Sequence, residues 1–281
     1  STRLEAFAES LNIETETRKE NTMGKGYFAG IDSGSTSTDV VILDRERKIV
    51  SSVIMPTGAG AANGAERALE EALRQSGLNR EDIDAVVTTG YGRTAISDGD
   101  KSITEITCHA RGAHFLDSSV RTVVDIGGQD SKVIRLNDDG SVKNFVMNDK
   151  CAAGTGRFLE MMAKTMEMSL DELSKVGLSY QEDITISSMC TVFAESEVVS
   201  LIAQNKATDD IVHGLNKAVA AKTASLVKRV GGEEAYMMTG GVAQNQGLVR
   251  TLEERLGTKL VISDKSQLCG ALGAALFAAE M

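Results

Sequence analysis

Apolar positions along this chain fall into short runs with two different spacings. Residues 27–31 and 39–43 are largely apolar and flank DSGSTST, which predicts a strand, a Gly/Ser turn and a second strand. In residues 64–76 (GAERALEEALRQS) the apolar positions recur at helical spacing and stop before Gly77, so a helix is expected there with its end at the glycine. DAVVTTGYGR, from Asp84, predicts a further strand running into a glycine turn. TVVDIGGQDSKVIRL, from Thr122, predicts a second strand–turn–strand unit. Helices are expected at 157–168, behind CAAGTG, and over 194–204 and 208–230. EAYMMTGGVAQN, from Glu234, reads as a strand meeting a Gly-Gly turn, and GALGAALFAA, from Gly270, as an apolar closing helix. Pro56 is the one proline and no low-complexity linker interrupts the chain, so its parts should pack closely.

Two of these units match. Placing Asp32 over Asp125 sets DSGSTSTDVVIL over DIGGQDSKVIRL, and the aspartate, the turn glycine and the Val/Ile/Leu pattern recur. A repeated hairpin predicts two domains of like topology facing each other across a cleft. The expected division is a charged extension at 1–23, a first domain at 24–120, a second at 121–266, and a helix at 267–281 that packs back on the first domain.

With 281 residues the chain is long enough for two such domains, each with its own core. Its formal charge of -10 argues against general nucleic-acid binding, which needs basic surface to neutralise phosphates. A nucleotide stays open as a ligand, since backbone amides and a metal ion can hold a small phosphate group. No stretch approaches the roughly 20 apolar residues of a membrane span. The opening segment has no apolar signal-type core, so a cytoplasmic protein without membrane contact is expected.

Each matched hairpin puts an aspartate at the end of an apolar strand, followed by a Gly-rich turn. Glycines let backbone amides approach phosphate oxygens, and Ser/Thr hydroxyls add donors. Gly34, Ser35, Thr36, Ser37, Gly127 and Gly128 are therefore candidate phosphate-binding residues. The carboxylates of Asp32 and Asp125 suit Mg2+, held through water, which neutralises the phosphates. Gly240 and Gly241, with Gln244 and Asn245, form a third glycine turn where a helix begins, suited to the ribose and α-phosphate side of a nucleotide. One such turn is an ordinary hairpin feature. Three in this order resemble the phosphate-1, phosphate-2 and adenosine motifs of the acetate kinase, sugar kinase, Hsp70 and actin superfamily. That resemblance implies an α/β fold of two ribonuclease-H-like domains with ATP in the cleft between them. Gln129 or Asp130 is expected to position the attacking water, with Glu195 behind them as a candidate.

There are four cysteines. Cys151, in NDKCAAGTGRF, and Cys190, in SSMCTVFAESE, each read as lying in a turn that opens a helix, where the helix dipole and unpaired amides favour a thiolate. From spacing alone they are better described as buried small side chains. A 4Fe–4S cluster takes four thiolates, so two cysteines reach that number only if a two-fold dimer supplies a second pair. Cys108, next to His109, reads as a packed side chain with a Cys–His metal pair as the alternative, and Cys269, in LCGALGAALF, as helix core.

The surrounding text is more specific. GIDSGSTSTD, TTGYGR, VDIGGQD, MNDKCAAGTGRF, SSMCTVFAESEV and MTGGVAQN together closely resemble the ATP-dependent activators of 2-hydroxyacyl-CoA dehydratases, a group that includes the ATPase subunits of benzoyl-CoA reductase. The resemblance runs over residues 27–281. It implies that Cys151 and Cys190 of two subunits hold one 4Fe–4S cluster on the axis of a homodimer. It also implies Mg2+-dependent ATP hydrolysis at Asp32, Asp125 and Gln129. Nucleotide-driven closure would then deliver single electrons to an iron–sulfur dehydratase or reductase, with ferredoxin or flavodoxin as donor. Two other readings stay open. One is a reductase of a double-cubane-cluster protein; the other is a metabolite kinase or nucleotide-sensing protein of the wider superfamily, which leaves the two cysteines without a role.

Overall fold

Residues 25–187 and 190–281 are described by a computed structural model; the extension expected at 1–23 lies outside them. The first hairpin forms as its apolar runs require. β1 (Tyr27–Ser33) and β2 (Ser37–Leu43) pair antiparallel, with Asp32 opposite Asp39. β3 (Ile49–Pro56) adds antiparallel to β2, while β4 (Ile83–Thr89) and the short β5 (Lys101–Ser102) add parallel on the other side. The order is β3-β2-β1-β4-β5. β2 is apolar at consecutive positions because both its faces are covered. Val40 and Ile42 pack with α1 (Ala61–Ser76), and Val41 and Leu43 pack with the closing helix at Cys269–Ala278, here α8. Gly77 takes φ 70° and ends α1 at the expected place, with its N–H on Arg74 O and the Leu78 N–H on Leu73 O.

The second sheet repeats this plan. β6 (Thr122–Ile126), β7 (Ser131–Leu136) and β8 (Val142–Asn148) form an antiparallel meander. β9 (Tyr236–Thr239) and β10 (Leu260–Val261) then add parallel beside β6. The order β8-β7-β6-β9-β10 matches that of the first sheet strand for strand, so the repeat in sequence is a repeat of topology. Alternation again sorts the side chains. Val124 and Ile126 join the core on the side of α6 (Thr208–Val230), and Val123 and Ile134 join Ile106, Ala110 and Ala113 of α2 (Glu105–Leu116).

Helices α3 (Gly156–Thr165), α4 (Leu170–Lys175), α5 (Thr191–Ala203) and α7 (Gln246–Leu256) complete the second half. The helix expected at 157–168 stops at Thr165, because Glu167 takes φ 56° and Ser169 caps α4, its Oγ accepting from the Glu172 N–H. The helix expected from 194 starts earlier, at Thr191, because Cys190 occupies its N-cap.

α2 and α8 cross between the two sheets, α2 against the second and α8 against the first. Their backbones nearly touch: a methyl on Gly273 would lie 1.8 Å from the carbonyl oxygen of Cys108. Backbone cannot rotate away as a side chain can, so Gly273→Ala is expected to lower stability by about 2 kcal/mol or more. Urea or thermal unfolding measures this, and an unchanged midpoint would show that the crossing is loose.

Candidate functional site

The two sheets present their hairpin turns to each other. In the first, the Gly34 N–H donates to Ser37 O at 2.9 Å; in the second, the Gly127 N–H donates to Asp130 O at 3.0 Å. The turns meet, since a methyl on Gly128 would sit 2.2 Å from Thr36 Oγ1. Beside this contact opens a cleft of about 670 Å3. Every candidate of the three glycine turns lines it: Gly34, Ser35, Thr36 and Ser37; Gly127 and Gly128; and Gly240, Gly241, Gln244 and Asn245. Asp32 and Asp125 line it too. Gln129 does not; it is exposed, and its neighbour Asp130 faces the cleft instead. Glu195 is also away from the cleft, on α5, where it accepts a 3.0 Å hydrogen bond from Thr165 Oγ1 at the end of α3.

Asp125 is the most heavily engaged acid of the site. Its Oδ1 accepts from Thr239 Oγ1 at 2.7 Å and faces His109 Nε2 at 3.3 Å, and its Oδ2 accepts from Lys132 Nζ at 2.8 Å. Lys132, itself buried, also reaches Asp130 at 2.9 Å and Glu105 at 3.8 Å. The other ring nitrogen of His109, Nδ1, lies 2.9 Å from the carbonyl oxygen of Glu105, which can only accept. Both nitrogens then carry protons and the ring is a cation. Its pKa agrees: burial alone would lower it, but the charge and hydrogen bond of Asp125 reverse this and hold it at about 9. Burial would raise Asp125, yet Lys132 and His109 outweigh it and keep that carboxyl well below the ordinary range. Burial would likewise lower the Lys132 ammonium, and Asp125, Asp130 and Glu105 raise it instead.

The first hairpin contrasts with the second. Asp32 is half-buried, its Oδ2 so close to α8 that a methyl on Gly270 would meet it at 2.1 Å, and burial raises its carboxyl. Opposite it, buried Asp39 is pushed up to about 8, first by burial and then by the charge of Asp32. Acidic groups lining the cleft outnumber its two basic ones, His109 and Lys132. A polyphosphate can enter such a site only with a divalent cation, and hard carboxylate oxygens suit Mg2+. Asp39 and Lys132 were not among the sequence candidates, and His109 was weighed there only as half of a Cys–His metal pair. Their signal was a charge inside an apolar strand run, TDVVIL for Asp39 and SKVIRL for Lys132.

Two of the four cysteines are accessible. Cys190 is exposed at the N-cap of α5, and Ser188 and Met189 before it lie outside the described residues. Cys151 is half-buried and does not open a helix as expected; the N-cap of α3 is Thr155, four residues on. Cys151 sits in the loop between β8 and α3, where Asn148 Nδ2 donates to its carbonyl at 2.9 Å and to that of Ala153 at 3.3 Å. This loop leads straight into the phosphate turn: the Gly156 N–H donates to Gly127 O at 2.8 Å and the Arg157 N–H to Gly128 O at 2.7 Å. α3 packs on α5, and α5 leaves Val192, Phe193, Val199 and Ile202 exposed. Cys108 and Cys269 are buried, and burial pushes the first up to about 12 and the second well above the ordinary thiol range. Among the described residues, no group of three or more His, Cys, Asp or Glu side chains is placed to hold a metal within one chain.

Paired sheets of one topology, each with an aspartate and a glycine turn on a shared cleft, define a two-domain nucleotide-binding ATPase. Residues 29–278 match the BadF/BadG/BcrA/BcrD ATPase family, and the chain belongs to it. It is 44% identical over 253 residues to the (R)-2-hydroxyglutaryl-CoA dehydratase activating ATPase of Acidaminococcus fermentans, covering 90% of this chain and 96% of the relative. It is similar in structure to the activator of the 2-hydroxyisocaproyl-CoA dehydratase from Clostridium difficile with bound ADPNP. There the TM-score is 0.87 and the identity 48%, over 90% of this chain and 94% of that one. The fold alone is shared with a ROK family glucokinase from Streptomyces griseus in complex with glucose and AMPPNP, at 14% identity and a TM-score of 0.55 over 91% of this chain and 100% of the other. This is the sugar-kinase type of fold expected from the three turns. Among the described residues, no helix is long and apolar enough to cross a membrane.

Proposed function

We propose that this chain hydrolyses ATP to deliver single electrons to a partner iron–sulfur enzyme, as the activator of a 2-hydroxyacyl-CoA dehydratase or a related reductase. Family membership and the relatives named as such activators support the ATPase and the class of partner. Support for coupling comes from one observation: the loop of Cys151 is tied to the phosphate turn through the amides of Gly156 and Arg157. A nucleotide that shifts Gly127 and Gly128 shifts this loop with them, which is the differential contact a two-state device needs.

The accessible thiols fit half of a split cluster site. Cys151 and Cys190 would bind one 4Fe–4S cluster jointly with the same pair of a second subunit, and such a cluster, when bound, takes up and releases one electron. The exposed apolar side chains beside Cys190 fit a homodimer face. In the cleft, Asp32 and Asp125 would hold Mg2+, the latter through water, since its oxygens are already bonded. Asp130 replaces Gln129 as the residue we assign to the attacking water, because it faces the cleft. The working units are 24–120 and 121–266, with 267–281 returning to the first. The reading places the protein in the cytoplasm, with ferredoxin or flavodoxin as donor.

The test is ATP-dependent reduction of a 2-hydroxyacyl-CoA dehydratase by the dithionite-reduced protein, followed by EPR; electron transfer that ignores ATP, or none at all, refutes the reading. Asp32→Asn is expected to cut Mg2+-dependent ATP turnover by roughly 100-fold, the usual cost of losing one charge-stabilising group. Wild-type turnover in that variant would remove Asp32 from the site.

A further inference from the structure

We propose that Asp39 is a second metal-holding carboxylate beside Asp32, so that the divalent cation of a bound nucleotide is held chiefly from the first hairpin. The inference rests on the reading of the cleft as a metal–ATP site. Asp32 and Asp39 are directly opposite on the antiparallel ladder of β1 and β2, so their side chains share one face, and both line the cleft. Like charges in that position repel, and the arrangement asks for a cation between them. The protein does not provide one. Lys132 is committed to Asp125 and Asp130, and His109 to Asp125. Among the described residues, no basic side chain forms an ion pair with Asp32 or Asp39 within 4.0 Å.

A second observation points to a ligand. Asp39 is only 5% exposed, and its Oδ1 has no hydrogen-bond partner. A buried carboxyl oxygen left unpaired costs stability, and in native proteins such an atom commonly waits for a bound group. Asp125 presents the opposite case, with three donors on its two oxygens. Open coordinating capacity in this cleft therefore lies with the first hairpin. A cation there would sit at the end of β1, where the Gly34–Ser37 turn offers its amides to phosphate oxygens.

The experiment compares AMPPNP binding with and without Mn2+ by calorimetry, with the EPR signal of the protein-bound Mn2+ as a second readout. In the wild type, Mn2+ should strengthen AMPPNP binding. Asp39→Asn, which keeps the shape of the protonated acid, should lose at least 10-fold of that strengthening and alter the Mn2+ spectrum. Asp39→Ser should do the same, and serves if the Asn variant does not fold. Undiminished Mn2+ strengthening in a folded Asp39 variant overturns the proposal and leaves the ATPase reading standing. A wild-type protein that binds no AMPPNP with Mn2+ overturns both.

Discussion

Cys190→Ser protein purified without oxygen will contain no iron–sulfur cluster, and Cys151→Ser protein will match it. On the proposed reading two thiolates per subunit cannot satisfy four irons, so each variant would remove half of the ligands of the shared site. No other cysteine can substitute. Cys108 lies inside α2 and Cys269 starts α8, both buried, with thiols held far from ionisation at neutral pH. Cys190 has the opposite setting, exposed at the N-terminus of a 13-residue helix whose dipole favours negative charge. Neither Cys151 nor Cys190 lines the cleft, so nucleotide binding should survive in both variants. The dimer should weaken, because a shared cluster is a cross-link. Iron and sulfide analysis with EPR decides the matter. Wild type should show about four irons per dimer; four per monomer would rule out a shared site, and full cluster content in Cys151→Ser would rule out that ligand.

Lys132→Met will be the most damaging substitution in the cleft. The ammonium is buried and faces three carboxylates, Asp125, Asp130 and Glu105. Removing one partner of a buried charge group leaves the others uncompensated and costs about 3–5 kcal/mol. Asp130→Asn added to Lys132→Met should restore part of the loss; urea midpoints of the pair measure it, and equal stability of Lys132→Met and wild type would contradict the burial argument. The same cluster sets a pH window. His109 is raised from about 6.5 to about 9 on folding, so its contribution is complete below 6.5 and fades as pH climbs through 9. Asp125 is lowered, so its contribution is present above the ordinary carboxylate value of 3.8 and is lost as acid protonates it. Wild-type stability should therefore decline between pH 6.5 and 9; Asp39, raised to about 8, adds to the decline below that pH, so His109→Gln should flatten only the part above about 8.

The glycine turns were legible because only a few residue types suit them, and because each follows a strand with unbroken apolar text. The strands β3 and β8 were not. VKNFVMN leaves Lys143, Asn144 and Phe145 exposed, so its inward pattern is faint, and β3 likewise exposes Val50 and Ile54. α2 was obscured for a different reason: it is buried against the second sheet on one side and α8 on the other, which removes the polar stripe that marks a surface helix. Within the site, the aspartates at strand ends were visible, whereas Asp39 needed the register that sets it against Asp32. The division of labour between Asp125 and Asp32 was also hidden, since it depends on Lys132 and His109 arriving from β7 and α2. Cys151 was placed too near a helix because CAAGTG reads as a cap, while Thr155 takes that position.

The position of α8 has a consequence for the order in which the molecule is made. Both phosphate turns and the whole second sheet leave the ribosome before Cys269–Ala278 does. Until then Val41 and Leu43 face water, and the surface against which Gly270 holds the Asp32 carboxylate is missing. Domains of this kind are synthesised at roughly 5–20 residues per second, so the first sheet waits several seconds or more for its cover. A nascent chain can therefore shape its second half early, but completes its nucleotide pocket only once Cys269–Ala278 has emerged and covered the first sheet.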